Sequence, residues 1–252
     1  LRLGVLKPSP KVGMVSLIGA GPGASGLITL AGRRALERAD VVLYDHLASP
    51  TLLNSLPVPG QERIHVGKRA QAGLATQEDI NALMIRRAKR GERVVRLKGG
   101  DPFLFGRGGE EASHCVEHEV RFEVIPGVSA LSSVLASAGI PLTHRGRASS
   151  FTVVTGHERE DRESDAVDWR ALAQVQGTLV VFMGVTQVTY WTSELLAGGM
   201  APHTPVAFIR WGTTSRQETL RGSLSDIAER VTSSAFGAPS LAVLGEVVTL
   251  RD

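Results

Sequence analysis

The chain has 252 residues, 42% of them hydrophobic and 21% charged, with 28 Lys and Arg against 25 Asp and Glu for a formal charge of +3. That length suits one large domain or two of about 100–150 residues, and so small a charge gives no argument for a nucleic-acid partner. The single cysteine, Cys115, rules out an intrachain disulfide, and no run of 18 apolar residues points to a membrane span. The proline-broken opening 1–10 does not read as a signal peptide, so a cytoplasmic protein is the expectation.

Residues 1–13 read as an N-terminal arm. Met14–Ile18 is a first strand running into Gly19-Ala20-Gly21-Pro22-Gly23, followed by a helix over Leu30–Ala39 and a second strand, Val41–Asp45. This is a βαβ start, with strands apolar enough to be covered on both faces. Arg63–Val66 is a short strand. Thr76 with Asp79 resembles a capping box that opens a helix to Lys89 or Arg90, closed by Gly91. Arg93–Leu97 follows as a strand with basic ends, then a loop with five glycines in the eleven positions 99–109, and a polar helical stretch over 110–119. Phe122–Ile125 is the fifth strand. After Pro126-Gly127, a Ser- and Ala-rich helix spans 130–138.

Residues 141–150 read as a linker between an N-terminal α/β domain, 14–140, and a C-terminal α/β domain, 151–252. Within the second, strands are expected at 151–155, 178–183, 205–210, 217–222, 240–244 and 247–250, and helices at 169–173, 188–196 and 226–231.

The glycine-rich loop after residue 98 is costly in backbone entropy, which implies tight turns or close approach to a ligand. Asp101 would leave the carboxyl end of a strand there, where open α/β sheets bind ligands. The first loop nearly fits a dinucleotide fingerprint through Gly19, Gly21, Ala24 and Asp45. Pro22 argues against it, because a pyrophosphate needs backbone donors and proline removes one. No P-loop or nucleophile-elbow motif is present. His114 and His118 share helical spacing without the Glu placement of a zinc helix, so no metal is expected. Basic clusters at Lys68-Arg69, 86–90 and Arg145-Gly146-Arg147 are weak pointers to an anionic substrate.

Taken together, Gly19–Gly23, Val41–Asp45, Val66–Arg69, the block Val94-Val95-Arg96-Leu97-Lys98-Gly99-Gly100-Asp101-Pro102-Phe103-Leu104-Phe105-Gly106-Arg107-Gly108, and Val124–Ala130 resemble the tetrapyrrole methylases, in particular those acting on uroporphyrinogen III. Gly139–Arg145, Val154–His157 and Gly245–Val248 extend the resemblance over almost the whole chain. It implies a two-domain α/β fold with the cofactor in the interdomain cleft, usually a homodimer. The implied reaction uses S-adenosylmethionine to methylate the tetrapyrrole at C2 and then C7. It yields precorrin-2 and S-adenosylhomocysteine and feeds sirohaem and cobalamin synthesis. With no appended oxidase or chelatase domain, separate proteins are expected to finish either route.

The resemblance also assigns roles. Asp45 is the implied proton acceptor and Lys68 the implied donor. Pro22, Gly99, Gly100, Asp101, Leu104, Ser129 and Ala130, with Met183 and Gly212 from the second domain, are the implied cofactor contacts. Arg107, Arg145 and Arg147 are expected to clamp substrate carboxylates, since the guanidinium fork matches them; for Arg107 an ion pair with Glu110 or Glu111 is the competing reading. One departure stands out: the family commonly continues the first loop as G-D-P-x-L-L-T, whereas here it reads Gly23-Ala24-Ser25-Gly26-Leu27-Ile28-Thr29. Other precorrin methylases, a diphthamide-type relative, a nicotinamide oxidoreductase and a non-catalytic regulator are the rival readings.

Overall fold

A computed structural model of the chain describes residues 13–48, 50–67, 76–156 and 167–251. Residues 1–12 of the arm, Lys68 with Arg69, and the charged loop from His157 onward lie outside the described residues. The contacts divide the chain into two compact units, Leu1–Ser129 and Ala130–Asp252. The division falls ahead of the segment 141–150 read as a linker in the sequence, because the helix Ala130–Ser137 buries Val134 and Leu135 among residues of the second unit.

In the first unit, strands β1 (Met14–Gly19), β2 (Val41–Tyr44), β3 (Glu62–His65), β4 (Arg93–Lys98) and β5 (Arg121–Ile125) form one sheet in the order β3-β2-β4-β1-β5. Every pairing in it is parallel, so each strand is followed by a crossover. Apolar residues fill both faces. On one face Val15, Leu17, Val41, Leu43 and Val94 pack with Ile80, Leu83 and Met84 of α3 (Gln77–Lys89), and with Ala112 and Cys115 of α4 (Gly108–Glu117). On the other face Ile18, Val42, Val95 and Leu97 pack with Leu36 of α1 (Leu30–Glu37), and with Leu52 and Leu53 of α2 (Pro50–Ser55).

The helix starts follow from the sequence. Thr76 accepts from the Asp79 N–H at 3.2 Å while Asp79 accepts from the Thr76 N–H at 3.1 Å, the capping box expected there. Thr29 accepts from the Gly32 N–H at 3.1 Å and so begins α1. The α2 helix was not anticipated.

In the second unit, β6 (Phe151–Thr155), β7 (Thr178–Phe182), β8 (Pro205–Arg210), β9 (Glu218–Ser223) and β10 (Ser240–Leu244) form a mixed sheet in the order β6-β7-β10-β8-β9. Only β6 and β7 pair in parallel; β10 runs antiparallel to both β7 and β8. One face carries α6 (Trp169–Leu172), α7 (Val188–Ala197) and α8 (Ile227–Ser233), with Trp169 stacked on Trp191 at 5.9 Å between ring centres. The other face carries α5 (Ala130–Ser137) and the C-terminal segment.

That segment corrects one expectation. Residues 247–250 are not a strand but part of a 3-10 turn, Glu246–Leu250. Gly245, with φ of 122°, turns the chain out of the sheet after β10, and Val247 and Val248 then drop into the core beside Val243. Buried valines read as a strand only when the backbone is not bent just before them.

Candidate active site

The order of the first sheet sets its ligand position. β4 and β1 are neighbours, yet the chain leaves β1 toward β2 on one face and leaves β4 toward β5 on the other. Such a reversal opens a crevice at the carboxyl ends of the strands. Three loops meet there: Gly19–Gly23 after β1, Gly99–Gly109 after β4, and Pro126–Ser129 after β5.

Their backbones touch. Gly21 donates to the Gly100 carbonyl at 3.2 Å and Gly100 donates to the Gly21 carbonyl at 2.8 Å. A Cβ on Gly127 would stand 2.2 Å from the Gly100 oxygen, and one on Gly19 2.4 Å from the Gly127 Cα. A Cβ on Gly99 would meet the Leu47 Cβ at 2.6 Å. These glycines are required by close approach of neighbouring loops, and Gly100, at φ 67°, by its left-handed backbone.

Asp101 ties the assembly together. One carboxylate oxygen accepts from the Phe103 N–H at 2.8 Å and the other from the Gly127 N–H at 3.0 Å, linking the β4 and β5 loops. Pro22 and Leu104 lie half-buried beside this junction in sequence, and Ser129 and Ala130, also half-buried, end it. The donor set suits a nucleoside without phosphates. Pro22 has no N–H to give, and the Gly21 and Gly100 amides are spent on each other.

Asp45 leaves the end of β2 and is held by three donors. One oxygen accepts from the N–H groups of Leu47 (3.0 Å) and Ala48 (3.1 Å), and the other from Arg96 at 3.3 Å. Its side chain remains 26% exposed, whereas that of Arg96 is 4% exposed.

Behind Arg96 lies a buried ionic cluster that the sequence reading missed. Glu111 of α4 is wholly buried, and one of its oxygens accepts from Arg96 (2.9 Å), Lys98 (3.0 Å) and Gln77 (3.1 Å). Its second oxygen is buried without a partner. Burial above all, and then the Arg96 charge, push the Lys98 ammonium below its ordinary value, with Glu111 and Asp45 opposing. The signal was present in the alternation: Arg96 and Lys98 share a strand face with Val94, the face on which Val15, Leu17, Val41 and Leu43 are apolar.

The three expected substrate arginines differ. Arg107 grips Glu110 through both arms of its fork, at 2.9 and 2.6 Å, so the loop-stapling ion pair is the arrangement present. Arg147 pairs with Glu246 at 3.1 Å. Arg145 is exposed on the turn between the bridged residues His144 and Ala148. His114, Glu117 and His118 bring their ligand atoms within 4.8 Å on one face of α4, where His118 Nδ1 bonds the His114 carbonyl at 3.0 Å.

In the second unit, β7 and β8 both run opposite to β10. Met183 and Gly212 therefore leave the same sheet edge. Met183 has φ of 54° and is 45% exposed; Trp211 and Thr213, on either side of Gly212, have φ of 50° and 66°. A Cβ on Gly212 would strike the Val134 side chain at 2.5 Å. Of the seven non-glycine residues with positive φ among the described residues, Glu119 and Ala235 simply end α4 and α8. The other five, Phe105, Arg107, Met183, Trp211 and Thr213, lie in the loops after β4, β7 and β8. Backbone strain of this kind collects at ligand sites.

Two α/β units, the first carrying this glycine junction, define a class, and comparison with known proteins fixes it. The sequence profile of the Tetrapyrrole (Corrin/Porphyrin) Methylases matches residues 14–228, and the chain belongs to that family. It is 45% identical, over 97% of its length and 95% of the relative's, to the S-adenosyl-L-methionine-dependent uroporphyrinogen III methyltransferase of Methanosarcina barkeri. It is 48% identical to a siroheme synthase of Neisseria meningitidis, of which it spans about half (48%). Among solved structures, the uroporphyrin-III C-methyl transferase of Thermus thermophilus complexed with S-adenyl homocysteine superposes with a TM-score of 0.80 at 41% identity, over 94% of this chain and 100% of that one.

Proposed function

We propose that this chain transfers methyl groups from S-adenosylmethionine to uroporphyrinogen III, first at C2 and then at C7, and releases precorrin-2 and S-adenosylhomocysteine. The observation that carries the reading is the three-loop glycine junction held by Asp101 at the topological switch point of a tetrapyrrole methylase fold.

The cofactor supplies an electrophilic methyl group, which passes to a pyrrole carbon as the C–S bond breaks toward sulfur. The protein's share is orientation, exclusion of water and management of the proton that the methylated macrocycle must lose. Gly99, Gly100, Asp101, Leu104, Pro22 and Ser129 of the first unit, and Ala130, Met183 and Gly212 of the second, are the residues proposed to hold the cofactor. Asp45 accepts the proton; its carboxylate is held in place by two amides and Arg96. Lys68 returns a proton or steadies a substrate carboxylate.

Leu47, Phe103 and Phe105, 55%, 48% and 40% exposed, give the carboxyl edge of the first sheet an apolar rim suited to a flat macrocycle. Arg145, Arg147 and Arg107 are the proposed partners of its carboxylates, the last two after exchanging Glu246 and Glu110. A homodimer acting in the cytoplasm completes the reading. No helix among the described residues is long and apolar enough to cross a membrane.

The test is the mass of the anaerobic product formed from uroporphyrinogen III and S-adenosylmethionine. A gain of two methyl groups is expected. A gain of none, with S-adenosylhomocysteine still bound, would refute the acceptor and redirect the search to later precorrins.

A further inference from the structure

We propose that Arg96 is the positioning residue of Asp45, and that the buried Glu111 exists to aim it. The inference rests on Asp45 being the proton acceptor.

The geometry is that of a relay of contacts across the sheet. Arg96 points its Nε at Glu111 (2.9 Å), one NH2 group at Asp45 (3.3 Å) and its remaining arm at the Leu97 carbonyl (3.1 Å), so its planar fork is fixed at three points. Glu111 cannot turn away, because the same oxygen also holds Lys98 and Gln77. The two Asp45 oxygens are thus held from two sides, by the backbone of its own turn and by a guanidinium that has no freedom to swing.

The charges around Asp45 balance in a way that serves a proton acceptor. From β4 come Arg96 and Lys98, and from α4 comes Glu111. From β3 His65 packs edge-on against Tyr44, the residue before Asp45. Arg96, Lys98 and Glu111 sum to one positive charge, which an ionised Asp45 neutralises. A core built only for stability does not need this cluster, since apolar side chains of similar volume serve as well or better, and the unpartnered oxygen of Glu111 marks a standing cost.

The variant that isolates the contact is Arg96→Met with Glu111→Gln. It keeps the net buried charge at plus one through Lys98 and leaves the amide oxygen of residue 111 as partner for Lys98 and Gln77. The hold on Asp45 alone is lost. Arg96→Lys, which keeps a charge without the fork, serves as the partial-rescue control, and S-adenosylhomocysteine affinity reports that the variants are folded.

Two quantities are read in the full chain, kcat and KM for uroporphyrinogen III, with Asp45→Asn measured beside the variants. The double variant is expected to lose about tenfold in kcat with the substrate KM nearly unchanged, because the guanidinium no longer fixes the Asp45 carboxylate, and Arg96→Lys to recover part of that loss. An unchanged kcat in a folded double variant overturns the inference. An Asp45→Asn protein that keeps its kcat overturns Asp45 as acceptor, and with it the role of Arg96.

Discussion

Replacing Asp101 by alanine separates two ways in which that carboxylate can serve the cofactor. In the structure both oxygens accept backbone N–H groups, at 2.8 Å from Phe103 and 3.0 Å from Gly127. A hydrogen bond to a charged group contributes about 1.5–3 kcal/mol. Phe103 is exposed, so water can replace its partner, and only the half-buried Gly127 amide loses the full amount. The expected loss of stability is therefore about 1.5–3 kcal/mol, which at about 2–4 °C per kcal/mol for a chain of this size lowers Tm by about 3–12 °C. Freeing the β5 loop also loosens the glycine junction, and affinity for S-adenosylhomocysteine should fall at least tenfold, about 1.4 kcal/mol. Asp101→Asn keeps one acceptor but turns an amide donor toward a backbone donor, and should lose about half as much stability. Differential scanning calorimetry and isothermal titration calorimetry read the two effects. An Asp101→Ala protein with an unchanged Tm but weakened cofactor binding would refute the stapling argument and assign the carboxylate to direct contact.

Ala24 stands at the cap of the 3-10 turn Ser25–Leu27 with no side chain bonding the turn, and its φ and ψ of −65° and 127° suit a residue before proline. Restoring the family's Asp-Pro by Ala24→Asp with Ser25→Pro should add about 1 kcal/mol, seen as a rise in Tm of a few degrees. Gly127→Ala places a methyl 2.2 Å from the Gly100 oxygen; a cost of about 1–3 kcal/mol is expected by urea unfolding, and an unchanged midpoint would contradict the loop contact. Burial first, and then the Glu111 charge, push the Cys115 thiol up to about 12. The unfolded chain therefore releases this proton near pH 9 while the native one keeps it, and the thiol draws stability down by about 1.4 kcal/mol per pH unit above that value. Urea midpoints between pH 8 and 11 should fall less steeply in Cys115→Ala than in the parent; identical slopes would remove the thiol from the account.

What the sequence disclosed, and what it hid, follows from how local each signal is. The capping box at Thr76 and Asp79, the glycine at 91 that ends α3, and the loops after β1 and β4 are written in neighbouring residues. The α2 helix has only six residues and no amphipathic repeat to announce it. Glu110 and Glu111 are adjacent and chemically alike, yet one grips Arg107 in solvent and the other is wholly buried under Arg96. Only the helix face distinguishes them, and the face is known once α4 is docked on the sheet. Arg96 and Lys98 looked like the basic ends of a strand for the same reason. Asp101 was placed correctly at a strand's carboxyl end, but nothing local told that its second oxygen would find the amide of Gly127 in another loop.

The position of β1 governs how the first unit can be made. This strand, the first in the described chain, is hydrogen-bonded along both edges, to residues 93–98 and 121–125. Pairings between such distant stretches close late and slowly. Until Met14–Gly19 inserts, β4 and β5 each keep an open edge that another copy can occupy. Yield of native protein should therefore depend on chain concentration during refolding, and a ribosome must have released residues 121–125 before the N-terminal strand has both neighbours to receive it.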